Sequence, residues 1–126
     1  MKKVNVLLKA MTCLLMLVSL FIFLPAAASA DTNVSGTISS NTTWALAGSP
    51  YIVTGSVLVN NGVTLTIQPG VAVKFTSGKA IQIDGTLIAK GNIDSKIIFT
   101  SNASTPAAGD WGYILFSDSS ADATYD

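Results

Sequence analysis

Residues 55–75 read GSVLVNNGVTLTIQPGVAVKF. Three short apolar runs fill this stretch, separated by Asn60-Asn61-Gly62 and Gln68-Pro69-Gly70. Val63, Leu65 and Ile67 alternate with Thr64, Thr66 and Gln68, and Val71, Val73 and Phe75 alternate with Ala72, Lys74 and Thr76. A period of two with β-branched residues describes strands that bury one face. The same alternation continues outward through Ile81 and Ile83, Ile97 and Phe99, then Ile114 and Phe116. No sustained helical period follows Ala30, so the expected fold class is all-β.

Two all-β architectures fit such a rhythm. An antiparallel sandwich joined by hairpins calls for strands of about five or six residues and two-residue turns. Most runs here are shorter, and Gln68-Pro69-Gly70 suits a type II bend better than a tight hairpin. The preferred reading is a right-handed parallel β-helix of about three coils, in which short strands are separated by bends and apolar residues stack coil on coil. Val57, Val59, Leu65, Ile67, Val73 and Phe75 are the expected rungs of its inner ladder.

A small recurring pattern supports the winding. Val34-Ser35-Gly36-Thr37-Ile38 recurs as Val53-Thr54-Gly55-Ser56-Val57 and Ile83-Asp84-Gly85-Thr86-Leu87, with the second interval longer than the first. Each glycine shares the inward parity of its apolar flanks, which suggests a bend where a side chain would strike the core.

Residues 1–30 belong to a different category. Lys2, Lys3 and Lys9 precede an apolar run from Cys13 to Leu24; Pro25 ends it, and Ala28-Ser29-Ala30 supplies a small-x-small cleavage signature. A signal peptide over 1–30, cut after Ala30, is expected, and with it a secreted or cell-surface location. No membrane association is expected after cleavage. Cys13 is the single cysteine of the chain, so the mature part has no disulfide and no thiolate ligand. Four lysines and seven aspartates then remain, a net charge near −3, with no Arg, His or Glu. A mildly acidic surface without arginine is poorly suited to phosphate backbones, which argues against nucleic acid as a partner.

The residues that carry a family likeness lie between Tyr51 and Phe116. VTGSVLVNNGVTLTIQPGVAVKF, IQIDGTLIAKGNIDSKIIFTS and the later Gly109-Asp110-Trp111-Gly112 resemble the N-terminal coils of bacterial exported right-handed parallel β-helix repeat proteins. Tyr113 departs from that pattern at a place where a second glycine is frequent. The expected domain plan is a signal peptide over 1–30, an N-terminal cap segment over 31–50 and parallel β-helix coils over 51–126, incomplete at the C-terminus. Relatives run on for many more coils, so this chain is expected to be a fragment, with an uncapped last coil able to self-associate.

The candidate chemistry is sparse. Glycoside hydrolysis needs two carboxylates about 5–10 Å apart, one with a raised pKa. Only Asp118 and Asp122 are close in sequence, and they lie in a Ser-rich stretch that reads as a solvated loop. No Asp-x-Asp-x-Asp array suggests calcium, and Asp110 reads as a turn residue bonded to its own backbone. Thr64-x-Thr66 has no sequence echo that would support an ice-binding ladder. No catalytic residue, cofactor or metal is therefore expected. Flat rings stack on sugar faces, which leaves Trp44, Tyr51, Trp111 and Tyr113 as candidate glycan contacts. Within that set, Trp44 fits better as part of an N-terminal cover, and Trp111 as a wedge between coils. The function expected is a non-catalytic extracellular scaffold whose partners are polysaccharides or cell-surface proteins. The alternative is the N-terminal part of a carbohydrate-active enzyme, a polysaccharide lyase or glycoside hydrolase, with its active site beyond Asp126.

Overall fold

The computed structural model describes residues 29–121, so the expected signal peptide, apart from Ser29 and Ala30, and Asp122 lie outside the described residues. The strands in chain order are β1 (Thr32–Ile38), β2 (Thr42–Trp44), β3 (Tyr51–Val59), β4 (Thr64–Ile67), β5 (Ala72–Phe75), β6 (Ile81–Ile83), β7 (Thr86–Ala89), β8 (Ile98–Ser101) and β9 (Ile114–Phe116). Every pairing among them is parallel. Since no two consecutive strands pair, hairpins are absent among the described residues and the chain winds through about three β-helix turns.

Three faces make up each turn. One stacks the first halves of β1 and β3 with β5 and β8; the next stacks their second halves with β6 and β9. The third stacks β2, β4 and β7. On the first face, Thr32, Tyr51, Val73 and Phe99 lie above one another, and the length of chain between them grows from each coil to the next. Adjacent coils then sit about 4.8 Å apart, the ordinary strand spacing.

The period-two pattern produces this stack because each inward residue meets another of its kind above and below. Val57 lies under Ile81 and Ile81 under Ile114; Ile38, Val59, Ile83 and Phe116 form a second column. Leu65 lies under Leu87, and Trp44 under Ile67. All six expected ladder residues are buried, Val59, Leu65, Val73 and Phe75 completely. Burial in such columns contributes roughly 1.5–3 kcal/mol of transfer free energy per large side chain.

The bends follow the turn chemistry. Val71 donates its backbone N–H to the Gln68 carbonyl at 3.3 Å. Gly70 adopts φ +84°, in the left-handed region that the third residue of a type II turn requires. At the next lower corner, Val63 donates to the Asn60 carbonyl at 3.0 Å, and the Asn41 side chain accepts from the Thr64 N–H at 2.9 Å. Turn bonds and a side-chain amide thus satisfy backbone groups that the corners remove from the ladders.

Two features differ from the sequence reading. Residues 31–50, expected as a cap, contain β1 and β2, which stack in the coils' own parallel register and build the lowest turn. The third copy of the glycine pattern also occupies a different corner from the first two. Val34 pairs with Val53, whereas Ile83 pairs with Val59 and Leu87 with Leu65. The longer interval between the second and third copies is therefore one turn plus a face, not one repeat.

Candidate functional site

The longest excursion from the stack is the segment between β8 and β9, residues 102–113, which carries Gly109-Asp110-Trp111-Gly112-Tyr113. It is fastened to the turn beneath it at three backbone points. Gly78 N–H donates to the Asp110 carbonyl at 2.9 Å, Gly112 N–H to the Lys79 carbonyl at 2.8 Å, and Ile81 N–H to the Tyr113 carbonyl at 3.0 Å. A Cβ on Gly112 would stand 3.2 Å from the Lys79 carbonyl oxygen and 3.3 Å from Ala80 Cβ. So close an approach suits glycine.

Between these anchors Trp111 turns inward. Its indole stacks on Phe75 with ring centroids 4.3 Å apart and an interplanar angle of 13°. Ser101 is the residue paired above Phe75, and its short side chain leaves the ring for Trp111 to cover. The tryptophan is thus half-buried as a wedge against the coil below. Tyr113, the next aromatic along, is 56% exposed on the outer surface. Its backbone φ is not positive, which is why tyrosine is accommodated at this point of the loop.

The other two aromatic candidates are inside. Trp44 and Tyr51 are 3% and 6% exposed and stack on each other with centroids 5.0 Å apart. The Tyr51 hydroxyl donates to the Ala45 carbonyl at 3.0 Å, satisfying the polar end of a buried ring. Both rings are buried, so glycan stacking at Trp44 and Tyr51 is replaced by core packing. Their strand parity explains it, since Trp44 pairs with inward Ile67 and Tyr51 with inward Val73.

Residues of this loop line two clefts. One, of about 410 Å³, is lined by Thr76, Ser77, Ser101, Asn102, Ala103 and Asp110. The other, of about 200 Å³, runs along the outer side of the second face and is lined by Thr37, Ser56, Leu58, Ala80, Gln82 and Tyr113, among others. Gln82 Nε2 donates to Asp84 Oδ1 at 2.8 Å just beyond the second cleft's lining. This pair escaped the sequence reading. Its signal was present, because Gln82 and Asp84 share the outward parity of Ile81-Gln82-Ile83-Asp84.

Hydrogen bonds favour the ionised form of Asp110 and Asp84. The Ala107 N–H donates to Asp110 Oδ2 at 2.8 Å. This bond, and a weaker one from Ser101, lower the Asp110 pKa below the ordinary aspartate value, because each favours the charged form. Asp84 is lowered first by Gln82 and then by Ser117. A depressed folded-state pKa stabilises the fold above the unfolded value, and that contribution is lost as pH falls through the folded one. Asp110→Ala is therefore expected to lower the urea midpoint at pH 7 and to lower it less at pH 2. An equal loss at the two pH values would mean that the carboxylate charge is irrelevant to the loop.

Such carboxylates are unsuited to the proton-donating half of glycoside hydrolysis, which needs a raised pKa. Asp118 is exposed and, among the described residues, no hydrogen bond ties its side chain to either cleft. Among the described residues, no group of three or more His, Cys, Asp or Glu is placed to hold a metal ion. No described helix is long and apolar enough to cross a membrane.

Comparison with known proteins agrees with this geometry. Over 57 residues the chain is 39% identical to "Protein bark beetle" of Drosophila melanogaster, a match covering 45% of this chain and 2% of that protein. The chain thus spans only a small fraction of that relative's length. No solved structure gives a significant match. A family model described as a pectate-lyase like beta helix domain matches residues 36–121, from the first corner of β1 to the last turn described. With parallel coils, a stacked apolar interior and that match over well over half its length, the chain belongs to the pectate-lyase-like β-helix domain family.

Proposed function

We propose that this chain is an exported, non-catalytic β-helix scaffold whose outer surface contacts glycans. The observation that carries the reading is the state of its acids. The two aspartates with defined partners beside the clefts, Asp84 and Asp110, are held as carboxylates by hydrogen bonds. With no Arg, His or Glu in the chain, no neighbouring side chain of those types supplies the complementary acid, base or charge clamp. A stiff stack with polar clefts is suited to presenting contacts in fixed positions.

The family's description keeps the enzymatic alternative specific enough to test. The full chain, purified after export, is incubated with pectate, xylan and a β-glucan while unsaturated products and new reducing ends are followed. The expected result is retention on at least one polysaccharide without product above the blank. Turnover that disappears in Asp84→Asn or Asp110→Asn would overturn the non-catalytic reading and favour the enzyme.

A further inference from the structure

The second cleft has features that narrow its ligand. Tyr113 stands exposed at one side, fixed through its own carbonyl to the Ile81 N–H. Leu58 and Ala80 contribute apolar wall, and Ser56 and Thr37 contribute hydroxyls. Gln82 lies between Leu58 and Leu115 in the outward rank of the second face. Its bond to Asp84 uses one of the amide's two N–H donors. Among the described residues the second donor and the carbonyl oxygen have no protein partner. An aromatic ring beside a planar amide is a combination that stacks on the C–H face of a pyranose and hydrogen-bonds its hydroxyls. The cleft volume is about 200 Å³. Drug-sized pockets begin at roughly 300 Å³, so the cleft matches one sugar unit more closely than a long segment.

Charge decides among sugars. Asp84 is the ionised group that a hydrogen bond ties to the polar end of the cleft, and the lining includes no lysine. A uronate carboxylate would face this anion with no lining cation to compensate it. A neutral hydroxyl could instead donate to the Gln82 carbonyl oxygen or accept from its second N–H donor without meeting that repulsion.

We infer that the Tyr113–Gln82 cleft is a binding subsite for an uncharged hexopyranose unit of a polysaccharide, and that it selects against uronates. This rests on the glycan-contacting reading above and deepens it. Tyr113 supplies the stacking platform and Gln82 the hydroxyl contacts, while Asp84 holds the Gln82 amide in place from beyond the lining and sets the local charge.

The test uses the full chain titrated calorimetrically with hexamers of β-1,4-linked glucose, of N-acetylglucosamine and of galacturonate. At least one uncharged hexamer is expected to bind ten-fold or more tightly than the galacturonate hexamer. Tyr113→Ala and Gln82→Leu are each expected to weaken that binding ten-fold or more, and Tyr113→Phe less than three-fold. All three variants should melt cooperatively within a few degrees of the parent, because both positions are solvent-facing. Preference for galacturonate, or unchanged affinity in both Tyr113→Ala and Gln82→Leu, overturns the subsite while leaving glycan contact elsewhere intact. Absence of binding to every hexamer and to the polysaccharides above overturns both readings. Turnover with the subsite variants still defective in binding removes only the non-catalytic reading.

Discussion

Phe75→Ala is expected to destabilise the fold by about 4 kcal/mol, within the ~3–5 kcal/mol seen when a buried phenylalanine is emptied. Phe75 is completely buried, paired between Val53 below and Ser101 above. Backbone ladders hold the coils at their spacing, so the walls cannot collapse into the vacated volume as they could around a loosely connected helix. Neither Val53 nor Ser101 is long enough to fill it, and the Trp111 indole would lose the surface on which it stacks. Native domains have about 5–15 kcal/mol of stability in total, so the variant should lose a large share of it. Equilibrium urea unfolding would show a lower midpoint with little change in slope. Trp111→Ala and the double variant complete a cycle. The coupling between the rings should be at least the roughly 0.5–1.5 kcal/mol typical of aromatic pairs. A cost below about 1 kcal/mol, far under that of an emptied phenylalanine site, would show that the pair does not close this part of the core. Strict additivity of the two changes would show the same.

The columns that Phe75 belongs to were legible in the sequence because they depend on period and little else. Alternation assigned Val57, Val59, Leu65, Ile67, Val73 and Phe75 to the interior without knowing which strand lay above which. Strand order was harder. Successive coils on one face differ in length only through their loops, and no local pattern states how long a loop will be. That is why residues 31–50 read as a cap. β1 and β2 are polar enough to resemble a cover, and their membership of the stack emerges only from pairing with β3 and β4.

The site was legible by parity where parity applies. Tyr113 directly precedes inward Ile114 and must face out, while Trp44 and Tyr51 share the rank of inward residues. Trp111 stands in a loop, where period gives no direction; its orientation depends on the small Ser101 across from it, well before it in the chain. The Gln82–Asp84 pair could have been found by asking which polar residues two apart share an outer face. The glycines show the opposite limit. One letter pattern holds three, and each is there for its own reason. Gly36 has φ +79° and open space around it, whereas a Cβ on Gly55 would stand 2.9 Å from Ser35 Cβ in the turn below. Neither meets the core collision that their parity suggested.

The third of these glycines has the most severe requirement. Gly85→Ala is expected to cost more than about 3 kcal/mol, beyond the roughly 1–3 kcal/mol usual for core overpacking. Its added Cβ would lie far inside van der Waals contact of both the Val63 and the Asn60 carbonyl oxygens. Both oxygens are engaged, Val63 accepting from Thr86 N–H at 2.8 Å and Asn60 from Val63 N–H at 3.0 Å. Relief by a rotamer change is therefore excluded, and the corner itself would have to open. The cause lies in chain length. From Val59 to Leu65 the lower coil takes six steps, whereas the residues stacked on them, Ile83 and Leu87, are four apart. The shorter upper corner cuts across the longer lower one, and its backbone comes to rest on carbonyls that elsewhere would be a coil's spacing away. Gly62→Ala provides the comparison, because Gly62 has φ +76° but nothing within 4 Å of the added carbon. It should cost only the roughly 1–2 kcal/mol of placing an L-residue in the left-handed region. Urea midpoints of the two variants should therefore fall in the order Gly62→Ala above Gly85→Ala, with Gly85→Ala recovered poorly or only at low temperature. The reverse order, or a Gly85→Ala protein as stable as the parent, would mean that the upper corner is not pressed against the lower one.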